Sequence, residues 1–193
     1  MAFWKDEGST PKRNFRWLVR MFNGTETSVA WWAKTVTVPS YEISEVEHNF
    51  LDNKYYYPGR VSWSEITLTL VDPADETIDC VATTLRMLAL SDYVVKDVPG
   101  QQPNVTISKK KAVGANETIK PSAITIAVLD SEGNEIERWT LHNPFIKSAK
   151  YGDLDYSNDE LRTVEMTVRY DWASCELTKG VGSFDPETRT TQS

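Results

Sequence analysis

Few residues in this chain are arranged as an enzyme or a metal site requires. The only histidines are His48 and His142, and neither has a second histidine or a cysteine at metal-ligand spacing. The only cysteines, Cys80 and Cys175, are far apart, which favours two reduced thiols over a disulfide. No glycine-rich phosphate-binding loop and no GxSxG nucleophile motif is present. We therefore expect no cofactor, no metal and no enzymatic activity.

Two charged segments have a functional and a simpler interpretation. Residues 153–160 (DLDYSNDE) could bind calcium, but they lack the ligand spacing and the central glycine of an EF-hand loop. An acidic turn is the favoured interpretation. Residues 109–111 (KKK) could contact phosphate, although three lysines in an acidic protein are more typical of a solvated loop or a salt-bridging contact.

The composition narrows the class of protein. The formal net charge of -7 and the isoelectric point near 4.9 argue against a nucleic-acid-binding protein, which normally carries a basic surface. No apolar run is long enough to span a bilayer, and the first residues do not form a secretory leader. We expect folding in a cytoplasm and no membrane anchor. The chain length suits a single domain over residues 1–177, with a long loop at 92–122 and a polar tail at 178–193.

One strand followed by one helix organises the predicted fold. Residues 60–72 alternate, with Ile66, Leu68 and Leu70 on the core side, which predicts a strand with one buried face. A helix is predicted over 74–90, with Asp72 as its N-cap. An apolar stripe on this helix is expected to pack on the sheet of the same subunit. The stripe comprises Ile78, Val81, Ala82, Leu85, Leu88 and Ala89.

The rest of the ordered chain has β patterns. Strands are predicted at 14–22, 28–38, 123–129, 136–141 and 161–172, a short one is possible near Val105 and Ile107, and 143–160 is predicted to be a connection. Asn23-Gly24 is a strong hairpin signal. In the last strand Val164, Met166, Val168 and Tyr170 are expected to point inward. The predicted fold class is therefore mainly β, an antiparallel sandwich or small barrel with one flanking helix.

Residues 40–59 predict an extended hairpin that reaches away from the core. The segment is polar and aromatic at its end, and it lacks a helical period. The chain also has seven tryptophans and eight tyrosines, a surplus that suits a large subunit interface, although an aromatic-rich core is the alternative. The candidates for contact between subunits are Glu45, Glu47, Tyr55, Tyr56 and Tyr57.

The order of these elements resembles the tail tube proteins of contractile-tailed, T4-like bacteriophages. It is more distantly similar to the tube proteins of type VI secretion and related injection systems. The resemblance is carried by ordered stretches rather than by one motif, and it covers about residues 14–91 and 123–172. These stretches are NFRWLV and AKTVTVP, then PGR before WSEITLTL, the single helix, and finally WTLHNPFI, GDLDY and EMTVRYDW. The loop 92–122 and the tail after 177 have no secure counterpart.

This resemblance implies a structural virion protein of the tail. Six copies would form a ring, and rings would stack into the inner tube through which DNA is ejected. The implied partners are further copies of the chain, a tail sheath protein, a baseplate or tube-initiator protein and a tail terminator, with assembly in the host cytoplasm. Two alternatives remain: a baseplate initiator or secretion tube subunit of the same fold, and a monomeric binding module.

The alternation also suggests which residues face the channel. If the apolar parity of strands 60–72 and 161–172 is the core side, the opposite parity is left for the channel. The channel-lining candidates are Glu65, Thr67, Thr69, Glu165, Thr167 and Arg169. Hydroxyl groups would make a smooth wall, and carboxylates would repel phosphates, so we expect DNA to pass without specific binding. The competing hypothesis is that this face points outward to the sheath.

Overall fold

A computed structural model describes most of the predicted core. The described residues are 11–23, 26–29, 33–73, 80–90, 93, 107, 124–157, 159–178, 184 and 186. The strands are β1 (Trp17–Asn23), β2 (Glu26–Val29), β3 (Ala33–Val36), β4 (Tyr41–Phe50), β5 (Asn53–Trp63), β6 (Ile66–Val71), β7 (Ile124–Leu129), β8 (Glu135–His142), β9 (Phe145–Lys150), β10 (Thr163–Arg169) and β11 (Trp172–Leu177). One helix, α1 (Cys80–Leu90), lies between β6 and β7.

Two antiparallel sheets pack face to face around a shared core. The larger sheet has the order β11-β8-β7-β1-β2, and the smaller one has the order β3-β6-β10-β9. Val19 and Ile126 from the larger sheet join Leu68, Val164 and Met166 from the smaller sheet in one buried apolar cluster. The fold is therefore a mainly β sandwich, as the sequence predicted, and the described residues include one short helix.

The predicted parity of the two central strands is confirmed. β6 and β10 are antiparallel neighbours, with Leu70 opposite Val164, Leu68 opposite Met166 and Ile66 opposite Val168. All six of these side chains are buried, and Tyr170 is buried as well. Each apolar row of one strand therefore meets an apolar row of the other. The intervening residues point away from the core because successive side chains of a strand alternate between faces.

Three of the predicted strands are wrong as single elements. The segment 60–72 is divided at Ser64-Glu65 between the end of β5 and β6. The segment 28–38 is divided between β2 and β3, and the segment 161–172 contains β10 and the first residue of β11. In each case the chain leaves one sheet and enters another. Alternation continues through such a crossing because it reflects only local burial, so it does not reveal the change of sheet.

Strand β9 lies inside the segment 143–160 that was predicted to be a connection. It is an edge strand of the four-stranded sheet and pairs only with β10 among the described strands. Its sequence, FIKSAK, is mostly exposed or half-buried and contains a register shift opposite Thr167 and Val168. An edge strand with a bulge has little regular alternation, which is why the pattern did not indicate it.

The helix differs from its prediction in its buried face. It is described from Cys80, and residues 74–79, including Ile78, lie outside the described residues. Asp72 Oδ1 accepts a hydrogen bond from the Cys80 backbone N–H at 3.2 Å, eight residues further along the chain, whereas the predicted cap of a helix starting at Pro73 lies outside the described residues. However, Leu85 and Leu88 are 48% and 37% exposed, so the predicted stripe does not pack on this subunit's sheet along its length.

Among the described side chains of the helix, those that contact the core lie in its first turns. Cys80 and Val81 pack against the apolar cluster, and Thr84 is buried. The Thr84 hydroxyl lies 3.2 Å from the Tyr151 hydroxyl, at the end of β9. The described packing contacts between the helix and the sandwich therefore lie in the N-terminal half of the helix. Periodicity identified the apolar residues, but it could not show that part of the stripe extends past the sheet.

The remaining turn predictions have mixed outcomes. The hairpin pairing predicted at Asn23-Gly24 is confirmed by Asn23 of β1 lying opposite Glu26 of β2, while Gly24 itself lies outside the described residues. The hairpin predicted at 40–59 is confirmed and is longer, running from Tyr41 to Trp63 with its turn at Leu51 and Asp52. Ile107 is described outside any strand. The interpretations placed on Val105, on residues 109–111 and on most of the loop 92–122 fall outside the described residues.

Candidate assembly surfaces

The six channel-lining candidates lie on one face of the four-stranded sheet, which we call the outer face. Its side chains form three transverse rows, defined by cross-strand pairing. The first row is Thr35, Thr69, Glu165 and Lys150, and the second is Thr67, Thr167 and Ser148. The third row contains Glu65, Lys147 and Arg169, which are joined by ion pairs. A band of hydroxyl groups therefore lies between two charged rows.

Both carboxylates of the outer face are paired with cations. Glu65 Oε1 lies 2.6 Å from Lys147 Nζ and 3.6 Å from Arg169 Nη1. Glu165 Oε2 lies 3.8 Å from Lys150 Nζ. The three rows thus contain two carboxylates and three cations, a net charge of 3 - 2 = +1. These carboxylates were predicted to repel phosphate, but lysines of β9, which was predicted to be a connection, lie beside them.

The five inter-subunit contact candidates lie on both faces of the β4–β5 hairpin. His48 is directly opposite Tyr55, and Val46 is opposite Tyr57, so these residues share one face with Phe50. We call this set the tyrosine face. Glu45 is opposite Pro58 and Glu47 is opposite Tyr56, on the other side, which we call the carboxylate face. On that side Lys54 Nζ donates to Glu47 at 2.9 Å, which lowers the pKa of Glu47.

The hairpin is exposed along its length and apolar over much of its surface. Every residue of β4 is exposed, and in β5 only Trp63 is half-buried. The exposed large apolar and aromatic side chains of the hairpin are Tyr41, Ile43, Val46, Phe50, Leu51, Tyr55, Tyr56, Tyr57 and Val61. An apolar surface of this extent is typical of a protein contact.

The hairpin contains a bulge, and aromatic contacts attach its base to the core. Ser44 opposes Gly59 and Arg60, and its hydroxyl accepts a hydrogen bond from the Arg60 backbone N–H at 2.8 Å. At the base, the Tyr41 ring meets Trp63 edge-on at 5.5 Å, and Trp63 lies 6.1 Å from buried Tyr170. The hairpin is therefore anchored to the core at its base, while its distal half carries the tyrosine face.

Comparisons with known proteins found one matching family model and several solved structures with the same fold. The family model for the T4-like virus tail tube protein gp19 matches residues 102–173. The match begins inside the loop for which the sequence analysis found no counterpart, and it does not include residues 14–91. This confirms the resemblance to the tail tube family. No curated protein sequence matches the chain.

Solved structures share the fold at low sequence identity. A chain of the anti-feeding prophage baseplate, 6-fold symmetrised, is 15% identical with a TM-score of 0.63, and the match covers 89% of this chain and 99% of that one. A chain of the PVC sheath-tube complex in the extended state, an extracellular contractile injection system, is 17% identical with a TM-score of 0.58, covering 92% and 99%. A chain of the anti-feeding prophage tube terminating cap has a TM-score of 0.55 at 16% identity, covering 92% and 100%.

The described residues show no arrangement typical of a catalytic or metal site. No three His, Cys, Asp or Glu side chains among them gather as metal ligands. His142 stacks on Trp172 at 5.1 Å, and its Nε2 lies 2.9 Å from the Ser174 hydroxyl. Asp155 accepts hydrogen bonds from the backbone N–H and the hydroxyl of Ser157, which lower its pKa, as in a local turn.

The two cysteines are free thiols in different environments. Cys175 is buried, and burial raises its pKa to about 11, with a further contribution from the nearby Glu137 carboxylate. Cys80 is half-buried at the start of α1. A thiol held in its protonated form is a poor nucleophile, so Cys175 is a core residue. Among the described helices, none combines the length and apolar character needed to cross a bilayer.

Sequence reasoning missed two exposed apolar surfaces. One is the outer side of the helix at Leu85 and Leu88, and the other is the segment between β9 and β10, where Leu154, Tyr156 and Leu161 are strongly exposed. The signal for the second was present, since three large apolar residues interrupt an otherwise acidic turn. The acidic residues around them are typical of a solvated turn, so composition alone did not indicate an apolar surface.

Proposed function

We propose that this protein is the subunit of the inner tube of a contractile tail. Six copies form a ring, and rings stack into the conduit through which the genome is ejected from the virion. The observation that carries the proposal is the β4–β5 hairpin. It exposes apolar side chains over most of its length, yet its base is anchored to the core by Trp63. Such a surface favours burial against another protein molecule.

The resemblance to the tail tube family supports a second copy of the chain as that other molecule. Contacts between different patches of identical subunits close into rings or continue as filaments. The 6-fold symmetry of the anti-feeding prophage baseplate supports a six-membered ring. In this arrangement the outer face of the four-stranded sheet lines the channel, and its edge strands β3 and β9 lie toward the neighbouring subunits.

The proposed partners are other parts of the same machine. The structural matches include components of sheath-tube, baseplate and terminating-cap assemblies, which supports a sheath protein, a baseplate initiator and a terminator as partners here. DNA passes through the channel, no membrane anchor is involved, and assembly takes place in the host cytoplasm. Residues 1–177 act as the assembling domain, with the loop 92–122 and the tail 178–193 as additions to it.

Negative-stain microscopy of the purified protein tests the proposal directly. We expect rings or tubes at high protein concentration. A variant in which Asn-Gly replaces residues 46–57 keeps the Glu45–Pro58 pair and closes a shorter hairpin on a two-residue turn. It should remain folded by circular dichroism and fail to polymerise. Normal tubes from this variant, or a 21.9 kDa monomer at every concentration of the wild type, would contradict the proposal.

Point variants identify which face of the hairpin is used. Tyr55→Ser with Tyr57→Ser removes aromatic area from the tyrosine face, while Glu45→Gln with Glu47→Gln changes the carboxylate face. We expect the tyrosine variant to abolish polymers and the glutamine variant to retain them, because apolar burial contributes more than exposed charge to a subunit contact.

A baseplate initiator of the same fold is the second candidate, because the anti-feeding prophage baseplate chain matches with a TM-score of 0.63. An initiator would form single rings, whereas a tube subunit extends into long polymers without any baseplate protein. The length distribution of the polymers therefore separates the two functions, and the same test applies to a secretion tube subunit.

A further inference from the structure

We propose that the outer face of the four-stranded sheet binds the phosphate backbone of a nucleic acid, weakly and without sequence preference. The proposal deepens the proposed function, in which DNA passes this face. It differs from the expectation of a repelling wall, which rested on the net charge of the whole chain and on two carboxylates.

The first support is the local charge. The whole chain has a formal charge of -7, but the three rows of the outer face have a net charge of +1. Exposed Lys34 stands next to the first row, at the irregularity where β3 pairs with β6. At physiological ionic strength, charges further apart than about 8 Å are largely screened. The electrostatic potential at a phosphate on this face is therefore set by the charges of the face rather than by the net charge of the whole molecule.

The second support is the state of the carboxylates. Glu65 is held between Lys147 and Arg169, and Glu165 lies beside Lys150. Their charges are compensated by their neighbours, while the lysine side chains stay 55% and 73% exposed. Pairing neutralises both partners of each ion pair, so a net charge of +1 remains on the face, and the exposed lysines keep it accessible to solvent and to an anion.

The third support is the hydroxyl row between the charged rows. Thr67, Thr167 and Ser148 lie side by side across three strands, with neighbouring rows about 7 Å away along the strands. Hydroxyl groups and lysines are typical donors to phosphate oxygens, and such contacts carry no sequence information. The only apolar side chains at the described rows are Phe145, opposite Arg169, and Val71, which lies beyond the first row opposite Thr163, so the face offers little of the apolar surface that binding a polypeptide would use. The geometry therefore favours a phosphate backbone.

Fluorescence anisotropy with a labelled oligonucleotide tests the proposal. Rings or smaller species of the full-length protein would be titrated against single- and double-stranded DNA between 20 and 200 mM salt. We expect weak binding whose affinity falls steeply with salt, because each neutralised phosphate adds roughly -0.9 to the logarithmic salt slope on duplex DNA. Absence of binding by the wild type at the lowest salt would overturn the proposal.

A matched pair of variants separates the outer face from general charge. Lys147→Gln with Lys150→Gln removes two cations from the face, and Lys54→Gln with Arg60→Gln removes two from the hairpin. Each pair changes the formal charge from -7 to -7 - 2 = -9. The first pair should weaken binding about tenfold and reduce the salt slope, and the second should change it less than twofold. Equal losses from both pairs would overturn the assignment, once thermal melts show that both variants are folded.

Two further measurements keep the outcomes distinct. Polyglutamate that competes as well as DNA, at equal charge concentration, would assign the face to acidic polypeptides and overturn the nucleic-acid proposal. Microscopy of the same preparations reports on assembly. Tubes without DNA binding would refute this inference and leave the tube function intact, whereas DNA binding by a protein that never assembles would do the reverse.

Discussion

At the scale of single residues, Gly59 is the described glycine with the least room for an added methyl group. A Cβ built there would lie 2.4 Å from the Ser44 hydroxyl oxygen and 2.9 Å from the Ser44 carbonyl oxygen. Gly59→Ala should therefore disrupt the bulge and increase hydrogen exchange at the hairpin amides, with little change in the sandwich. Adding Ser44→Ala removes the closer clash and should restore part of the protection. Unchanged exchange in Gly59→Ala would show that the bulge adapts.

Glu135 makes a pH-dependent contribution to stability. Burial opposes its ionisation, but hydrogen bonds and charge from Arg138 and Arg20 outweigh burial and lower its pKa below the ordinary value of 4.5. A carboxyl whose pKa is lower in the folded state stabilises the fold above pH 4.5, and this contribution is lost as the pH falls through the folded pKa.

Replacing Glu135 should therefore flatten the acid side of the stability profile. Glu135→Gln should lower the free energy of unfolding at pH 7 and lose less stability than the wild type below pH 4.5, as measured by urea melts. Glu45→Gln, on the exposed hairpin, serves as the control and should follow the wild-type profile. Parallel profiles for Glu135→Gln and the wild type would contradict the role of the two arginines.

At the scale of elements, the helix and the central strands should respond differently to truncation. Leu85 of α1 is 48% exposed, whereas Leu68 of β6 is fully buried between the sheets. Leu68→Ala should destabilise the isolated chain by about 2–5 kcal/mol, and Leu85→Ala by less than about 1 kcal/mol. Chemical denaturation of dilute protein measures both. A large loss for Leu85→Ala would mean that the outer side of the helix is covered within the subunit.

The sequence predicted which side chains of a strand share a face, but not which sheet the strand enters. Leu68 and Met166 were assigned to the core correctly because burial repeats every second residue. The break at Ser64-Glu65 depends on pairing partners distant in the chain, and local alternation contains no information about them. Strand membership therefore required the structure.

For the candidate surfaces, the sequence likewise predicted which residues share a face but not which charged residues lie beside them. Parity placed Glu65 and Thr167 on one face, and hairpin length identified the exposed β4–β5 arm. The charge balance of the outer face could not be predicted, because it depends on Lys147 and Lys150 of a strand that was taken for a connection. A salt bridge between residues 82 positions apart becomes visible only after the sheet order is known.

At the scale of the whole molecule, the domain boundary at residue 177 can be tested by truncation. Phe184 exchanges two backbone hydrogen bonds of 2.8 Å with Cys175 at the edge of the five-stranded sheet. A chain ending at Thr178 should retain cooperative unfolding, because the described core lies entirely before that residue. Its Cys175 amide should exchange faster, because the partner is gone. Loss of cooperative unfolding would show that the tail belongs to the domain.

One corner of the sandwich also has a mechanical consequence. The chain passes from β8 to β9 through Asn143-Pro144 and returns from β10 to β11 through Tyr170-Asp171. The two crossings are tied together, since the Asp171 N–H donates to the His142 carbonyl at 3.1 Å and the Asn143 amide donates to Asp171 at 3.0 Å. Tension on one sheet therefore reaches the other through two short covalent links. This corner therefore opposes sliding of one sheet past the other.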